Sequence, residues 1–136
     1  MAGFNDVWEN RIIDHVSGKT ALPAIQTSYM ALLTALPAES ATLATMAEVS
    51  YTTYARKAVA PADIAAAASG QALNTVQQLF GACTAGSATV VAWAWVTAAS
   101  GTSGDIIMFG AVTSTVISTT QTPPTVAVGA LAFNLD

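Results

Sequence analysis

Thr89-Val90-Val91-Ala92-Trp93-Ala94-Trp95-Val96-Thr97 is the stretch that settles the fold class. It is dense in β-branched and aromatic residues, which suit a pleated, half-buried surface. Trp93 and Trp95 point to one face of a strand. That face is either a buried side of a sheet or a stacking platform for sugars or bases, although a sugar site would also need polar partners at fixed spacing. Ser100-Gly101-Thr102-Ser103-Gly104 then breaks the run, and a second apolar stretch, Asp105–Val112, follows. Asn74–Ala82, Thr115–Thr119 and Val126–Leu135 read as further short strands, punctuated by Gly86-Ser87 and Gln121-Thr122-Pro123-Pro124. Several short strands at this spacing predict a sandwich or barrel.

The N-terminal half adds a helix and two more extended segments. Residues 5–17 read as a helix capped by Asn5 or Asp6, with a capping-box-like spacing in Asp6-Val7-Trp8-Glu9. Trp8, Ile12 and Val16 recur every fourth residue as one apolar stripe. Gly18 suits the position after the helix, and Lys19 suits its carbonyl end. So short a helix is marginal alone, so it covers its own sheet or docks on another subunit. Gln26–Leu36 reads as a strand ended by Pro37, residues 37–47 as a loop, and Tyr51–Ala60 as a second strand region closed by Pro61. Residues 62–70 fit a helical turn or a loop equally well. The expectation is one domain over residues 1–136, with a helical segment at 1–19 and a β-sandwich at 20–136. The predicted fold is mainly β, an antiparallel jelly-roll-like sandwich with one N-terminal α-helix.

Composition narrows the function. The 136 residues are 53% hydrophobic and only 9% charged, against a usual charged share of about 25%, so intrinsic disorder is a poor reading. Asp6, Glu9, Arg11, Asp14 and Lys19 crowd the start, whereas beyond Asp63 only Asp105 and Asp136 are charged. The last half therefore faces inward or toward a partner, or uses Ser, Thr and Gln as its polar face. With four Lys plus Arg, the basic footprint of a nucleic-acid binder is missing. No apolar run reaches the ~18 residues of a membrane span, and Met1–Asp6 does not read as a secretory signal.

The chemistry-bearing residues are few. Cys83 is the single cysteine, which excludes an internal disulfide and a multi-cysteine zinc site; it reads as an inert buried thiol. His15 is the single histidine, and with Asp14, Glu9 and Arg11 nearby it invites a metal or acid–base reading. Glu9 and Asp14 lie roughly 140° apart on a helix, however, and His15 is more simply a favourable partner for the helix C-terminus. No serine sits in Gly-x-Ser-x-Gly, and the glycines at 101–104 lack the Lys and following helix of a phosphate loop. No catalytic residue, cofactor or metal is expected. Arg56-Lys57 is the one basic pair, of which one member is expected against a carboxylate and the other in solvent. Trp8, Ile12 and Val16 on the helix, with Tyr51, Tyr54 and Arg56 further on, are the candidate packing or partner-contact residues.

The ordered set of motifs resembles a family of small phage virion proteins commonly labelled tail fibre proteins, which are similar to capsid decoration, or cement, proteins. Asp6-Val7-Trp8-Glu9-Asn10-Arg11-Ile12-Ile13-Asp14-His15 matches its opening helix, and Pro23 with Tyr29-Met30-Ala31-Leu32-Leu33-Thr34-Ala35 its first extended segment. Tyr54-Ala55-Arg56-Lys57-Ala58-Val59, Asn74 with Phe80, Thr89–Val96, Ile106–Val112, Gln121-Thr122-Pro123-Pro124 and the ending from Gly129 to Asp136 follow in order. Two departures stand out. Glu48-Val49-Ser50-Tyr51-Thr52-Thr53-Tyr54 lacks the family's glycines, and Val126 replaces an aromatic; both reshape loops, where partner choice lies.

The resemblance implies a non-enzymatic virion subunit, first of all a capsid decoration protein on the capsid exterior that binds major capsid protein. It passes through the host cytoplasm during assembly and works as a homo-oligomer without nucleic acid or membrane. A tail-associated or receptor-binding fibre module is the alternative, and a small carbohydrate-binding sandwich a further one. Arg56 is the structural member of the basic pair on this resemblance.

Overall fold

A computed structural model describes residues 2–25 and 27–134. It is mainly β, with antiparallel sheets and one helix. The elements are β1 (Ala2–Phe4), α1 (Asp6–Val16), β2 (Ser28–Leu33), β3 (Lys57–Val59), a single 3₁₀ turn (Pro61–Asp63), β4 (Gln71–Leu73), β5 (Gln78–Leu79), β6 (Ser87–Val96), β7 (Ile106–Ser118), β8 (Thr125–Val126) and β9 (Ala132–Asn134). Gln26, Leu135 and Asp136, to which the expected strands extended, lie outside the described residues.

One five-stranded sheet in the order β1-β7-β6-β2-β3 forms the body. Its registers sort the side chains by face. Leu32 lies opposite Trp93 and Met30 opposite Trp95, and Trp95 lies opposite Met108; these join one buried cluster with Phe80, Leu131 and Phe133. Phe133 meets Trp93 edge-on at 6.3 Å and Trp95 at 4.3 Å between ring centroids. The other face carries Ala31, Leu33, Ala92, Ala94, Val96 and Phe109, closed by Leu43 and Met46. The alanines lower that face, which lets the 37–47 loop lie directly on the sheet.

The second layer is built from two two-stranded ribbons, β4–β9 and β5–β8, so the sandwich has one broad sheet and one divided one. Asn74 divides it. Fully buried, Asn74 donates through Nδ2 to the carbonyls of Val76 and Ala127 and accepts through Oδ1 from the Leu131 N–H. Its amide thus takes the place of ladder partners and ends the strand that the pattern Asn74–Ala82 predicted. The expected strand Val126–Leu135 is split likewise by a turn containing Gly129, at φ +74°.

Two expected strands merge in turn. Asp105–Val112 and Thr115–Thr119 are parts of the single strand β7, because Val112, Thr113 and Ser114 lie opposite Val91 alone between the pairs Ala92–Ala111 and Val90–Thr115. This bulge also switches the alternation of β6. Val90 shares the cluster of Trp93, whereas Ala92 belongs to the opposite face. Tyr51–Ala60 shortens to β3, its first part being turn and loop.

Helix α1 forms as its caps predict. The Asn5 side chain accepts from the Val7 N–H at 3.2 Å and donates to the Ala41 carbonyl at 2.9 Å, so the cap also ties the helix start to the 37–47 loop. Gly18, at φ +75°, closes the far end by donating to the His15 carbonyl. The stripe holds only in part. Trp8 is buried and Ile12 half-buried, but Val16 is 81% exposed. A spacing of four residues drifts about 40° per step around a 3.6-residue helix, so Val16 has turned about 80° from Trp8. The second anchor is Arg11, which lies 5.0 Å over the Trp8 ring and donates to Asp105 Oδ2 at 2.6 Å.

Candidate functional site

Glu48, Tyr54 and Arg56 form the tightest polar cluster. Glu48 pairs with Leu33 at the end of β2, which aims its carboxylate along the sheet. Arg56 grips it with both prongs, Nε to Oε1 at 2.9 Å and Nη2 to Oε2 at 2.8 Å. Its remaining donors reach the carbonyls of Ala98 and Gly101, each at 2.9 Å. The Arg56 side chain is 4% exposed and that of Glu48 24%. Tyr54 donates to Glu48 Oε1 at 2.7 Å and accepts from the Leu32 N–H. Burial, and then the bond to Glu48, hold the Tyr54 phenol far above its ordinary range. The bond to Glu48 raises Arg56 further. The cluster is a clamp: it fastens the β6–β7 connection to the 48–56 segment, and both carboxylate oxygens are occupied in doing so.

Tyr51 has a neighbouring structural role. Its hydroxyl donates to the Gly81 carbonyl at 3.0 Å, and its ring meets Tyr54 at 5.4 Å. Burial raises this phenol as well, with Cys83 adding to the shift. Gly81 passes so close to the Thr53 carbonyl that a Cβ there would clash with the oxygen.

Asp105, His15 and Cys83 are engaged too. Asp105 is held by Arg11. His15 accepts the Leu22 N–H on Nδ1 at 3.3 Å. The buried Cys83 thiol donates to the carbonyls of Ala85 and Gly86. Among the described residues, no three His, Cys, Asp or Glu side chains gather as a metal-binding group. The Trp93 and Trp95 rings pack on Phe133, and Trp95 Nε1 donates to Ser28 Oγ, so this face is core. A groove of ≈ 410 Å³ runs beside α1, lined by Trp8, Arg11, Ile25, Thr27, Thr97 and Asp105; its charges neutralise each other across the Arg11–Asp105 pair.

Exposed apolar residues gather in two places. Ala111 to Val116 on β7 are all exposed, with Val112 at 41% and Val116 at 54%. On α1, Ile13 and Val16 project outward. Of the six residues singled out from sequence, Tyr54 and Arg56 meet in the clamp with Tyr51 beside it. Trp8 lies in the core, Ile12 is half-buried and Val16 points away. The β7 segment was not among them. Its lack of charge was visible, but reading it as two short strands hid a continuous exposed edge.

A family model described as podophage GP4 fiber I protein gp80 matches residues 3–134. The chain belongs to this family. It is therefore a phage fibre-related structural protein, in agreement with the resemblance carried by its motifs. The match spans α1, the five-stranded sheet and both ribbons, so the clamp and the exposed part of β7 lie inside the family's extent. No curated protein matches the chain. Among the described residues, no helix is long and apolar enough to cross a membrane.

Proposed function

We propose that this protein is a non-catalytic subunit of a phage tail fibre, held to neighbouring virion subunits by apolar burial and neutral hydrogen bonds. The observation that carries this reading is the exposed, uncharged run Ala111–Val116 on β7, in a chain whose family is named for a fibre. Charge does not hold such a contact: between Asp105 and Asp136 there is no ionisable side chain. The clamp and the Trp8 anchor serve to keep that surface in one shape. A place on the head, bound to major capsid protein, is the competing position.

Immunogold labelling of intact particles separates the two positions, and a pelleting assay tests the mode of attachment. The expected result is label on the tail, retention through sodium chloride at about 1 M, where the Debye length is ~3 Å, and release in moderate urea. Label spread over the head would overturn the tail position. Release by salt alone would make the helix charges Asp6, Glu9, Arg11 and Asp14 the contact instead.

A further inference from the structure

The turn Tyr51-Thr52-Thr53-Tyr54 is closed by the Tyr54 N–H, which donates to the Tyr51 carbonyl at 3.0 Å. Its third residue, Thr53, has φ +76°. A positive φ at that position marks a type II turn and is ordinarily met by glycine or asparagine. For a β-branched residue it is an outlier that stores strain. Three further bonds hold the turn, and all three end on the connection between β5 and β6. Tyr51 donates its hydroxyl to the Gly81 carbonyl at 3.0 Å. Thr53 donates its hydroxyl to the Ala82 carbonyl. The Thr52 N–H donates to the Ala85 carbonyl at 3.0 Å.

The connection depends on the turn in return. Among the described residues, and apart from the bonds of its own Cys83 thiol, no other hydrogen bond reaches Gly81–Ala85. From Gly81 to Ser87 only Cys83 is buried. In the turn Tyr51 is buried, whereas Ser50, Thr52 and Thr53 are exposed. The seam between the two segments is not filled: a cleft of ≈ 490 Å³ runs along Ser50, Thr52, Ala85 and Gly86. Few buried contacts and exposed backbone hydrogen bonds mark segments that open ahead of the fold as a whole. The flanks are held elsewhere. The Val49 N–H donates to the Leu32 carbonyl and the Phe80 N–H to the Pro124 carbonyl, each at 3.0 Å. Tyr54 belongs to the clamp, and Ser87 lies opposite Ser118.

We propose that residues 50–53 and 81–86 form a single latch, loaded by the strained Thr53, that opens as a unit while both layers stay folded. Either segment leaving alone gives up the same three bonds, so the two open together. Opening lets Thr53 relax to a negative φ and uncovers Tyr51 and Cys83, both members of the main buried cluster. Val49, Tyr54, Phe80 and Ser87 stay in place and bound the movement.

Cys83, the single cysteine, reports the opening. The full chain is reacted with an aromatic disulfide reagent in a urea series below the unfolding transition. Labelling is expected to be far slower than in the unfolded chain. It should be nearly independent of urea at low concentration, because a local opening exposes little surface. Thr53→Ala and Thr53→Gly both lack the hydroxyl and differ in the cost of the positive φ. Thr53→Gly is expected to label roughly fivefold more slowly than Thr53→Ala, the left-handed cost being partly offset by the freedom of glycine in the open state. Tyr51→Phe, which loses the bond to Gly81, should label about two- to tenfold faster than wild type. Urea unfolding of each variant shows that it is folded and gives the global rate for comparison. Labelling that follows global unfolding at every urea concentration overturns the proposal, and so does equal labelling of the alanine and glycine variants. If Thr53→Ala does not fold, wild type and Tyr51→Phe decide the matter through the urea series.

Discussion

Replacing Arg56 by alanine removes every hydrogen bond that fastens the β6–β7 connection to the 48–56 segment through this side chain. The losses are the two bonds to Glu48 and those to the carbonyls of Ala98 and Gly101. Breaking a buried ion pair by removing one partner costs about 3–5 kcal/mol, because a charge is left behind unpaired. Glu48 is 24% exposed and keeps the Tyr54 hydroxyl, so water reaches part of it and the low end, about 3 kcal/mol, applies. Urea unfolding measures this loss directly, and a fall in Tm of roughly 10 °C should accompany it. Amide exchange between Thr97 and Asp105 should quicken. Removing the carboxylate as well, in Arg56→Met with Glu48→Gln, should recover part of the loss, since no charge then remains unpaired. A loss below about 1 kcal/mol for Arg56→Ala, within the range of ordinary surface substitutions, would refute the clamp. So would unchanged exchange in the 97–105 connection.

Trp8→Ala should cost about 3–5 kcal/mol in the same assay, whereas Val16→Ala should stay within about 0.5 kcal/mol; equal effects would contradict the observed placement of α1. Stability should also fall at alkaline pH. Tyr54 is raised above its ordinary 10.0 by burial and by its bond to Glu48, so above pH 10 the unfolded chain has shed a proton that the folded chain keeps. The unfolded state then binds fewer protons, and stability drops by about 1.4 kcal/mol per pH unit for this group, being fully present below pH ~10. Tyr51, raised in the same direction, adds to the slope. Tyr54→Phe should flatten urea-derived stability against pH across this range; an unchanged slope would remove Tyr54 as its source.

Local pattern by itself determined the helix, the strand character of β2, β6 and β7, and the absence of charge from the second half. Caps, periodicity and turn residues act over a few positions, and Asn5, Gly18, Trp93 and Trp95 are legible at that range. The same range misled at Val16, where a four-residue spacing imitates a stripe that the 3.6-residue turn rotates out of contact. It misled again at Asn74, whose buried amide satisfies backbone groups from Val76, Ala127 and Leu131 and so ends a strand that its neighbours favoured. Only the tertiary structure decided that Arg56 reaches Glu48, Ala98 and Gly101 together, that β7 runs unbroken past a bulge, and that the second layer is divided at Asn74. These depend on register between segments far apart in the chain. Register is set by which faces become buried and which backbone groups find partners, and those are properties of the assembled sheet rather than of any one stretch.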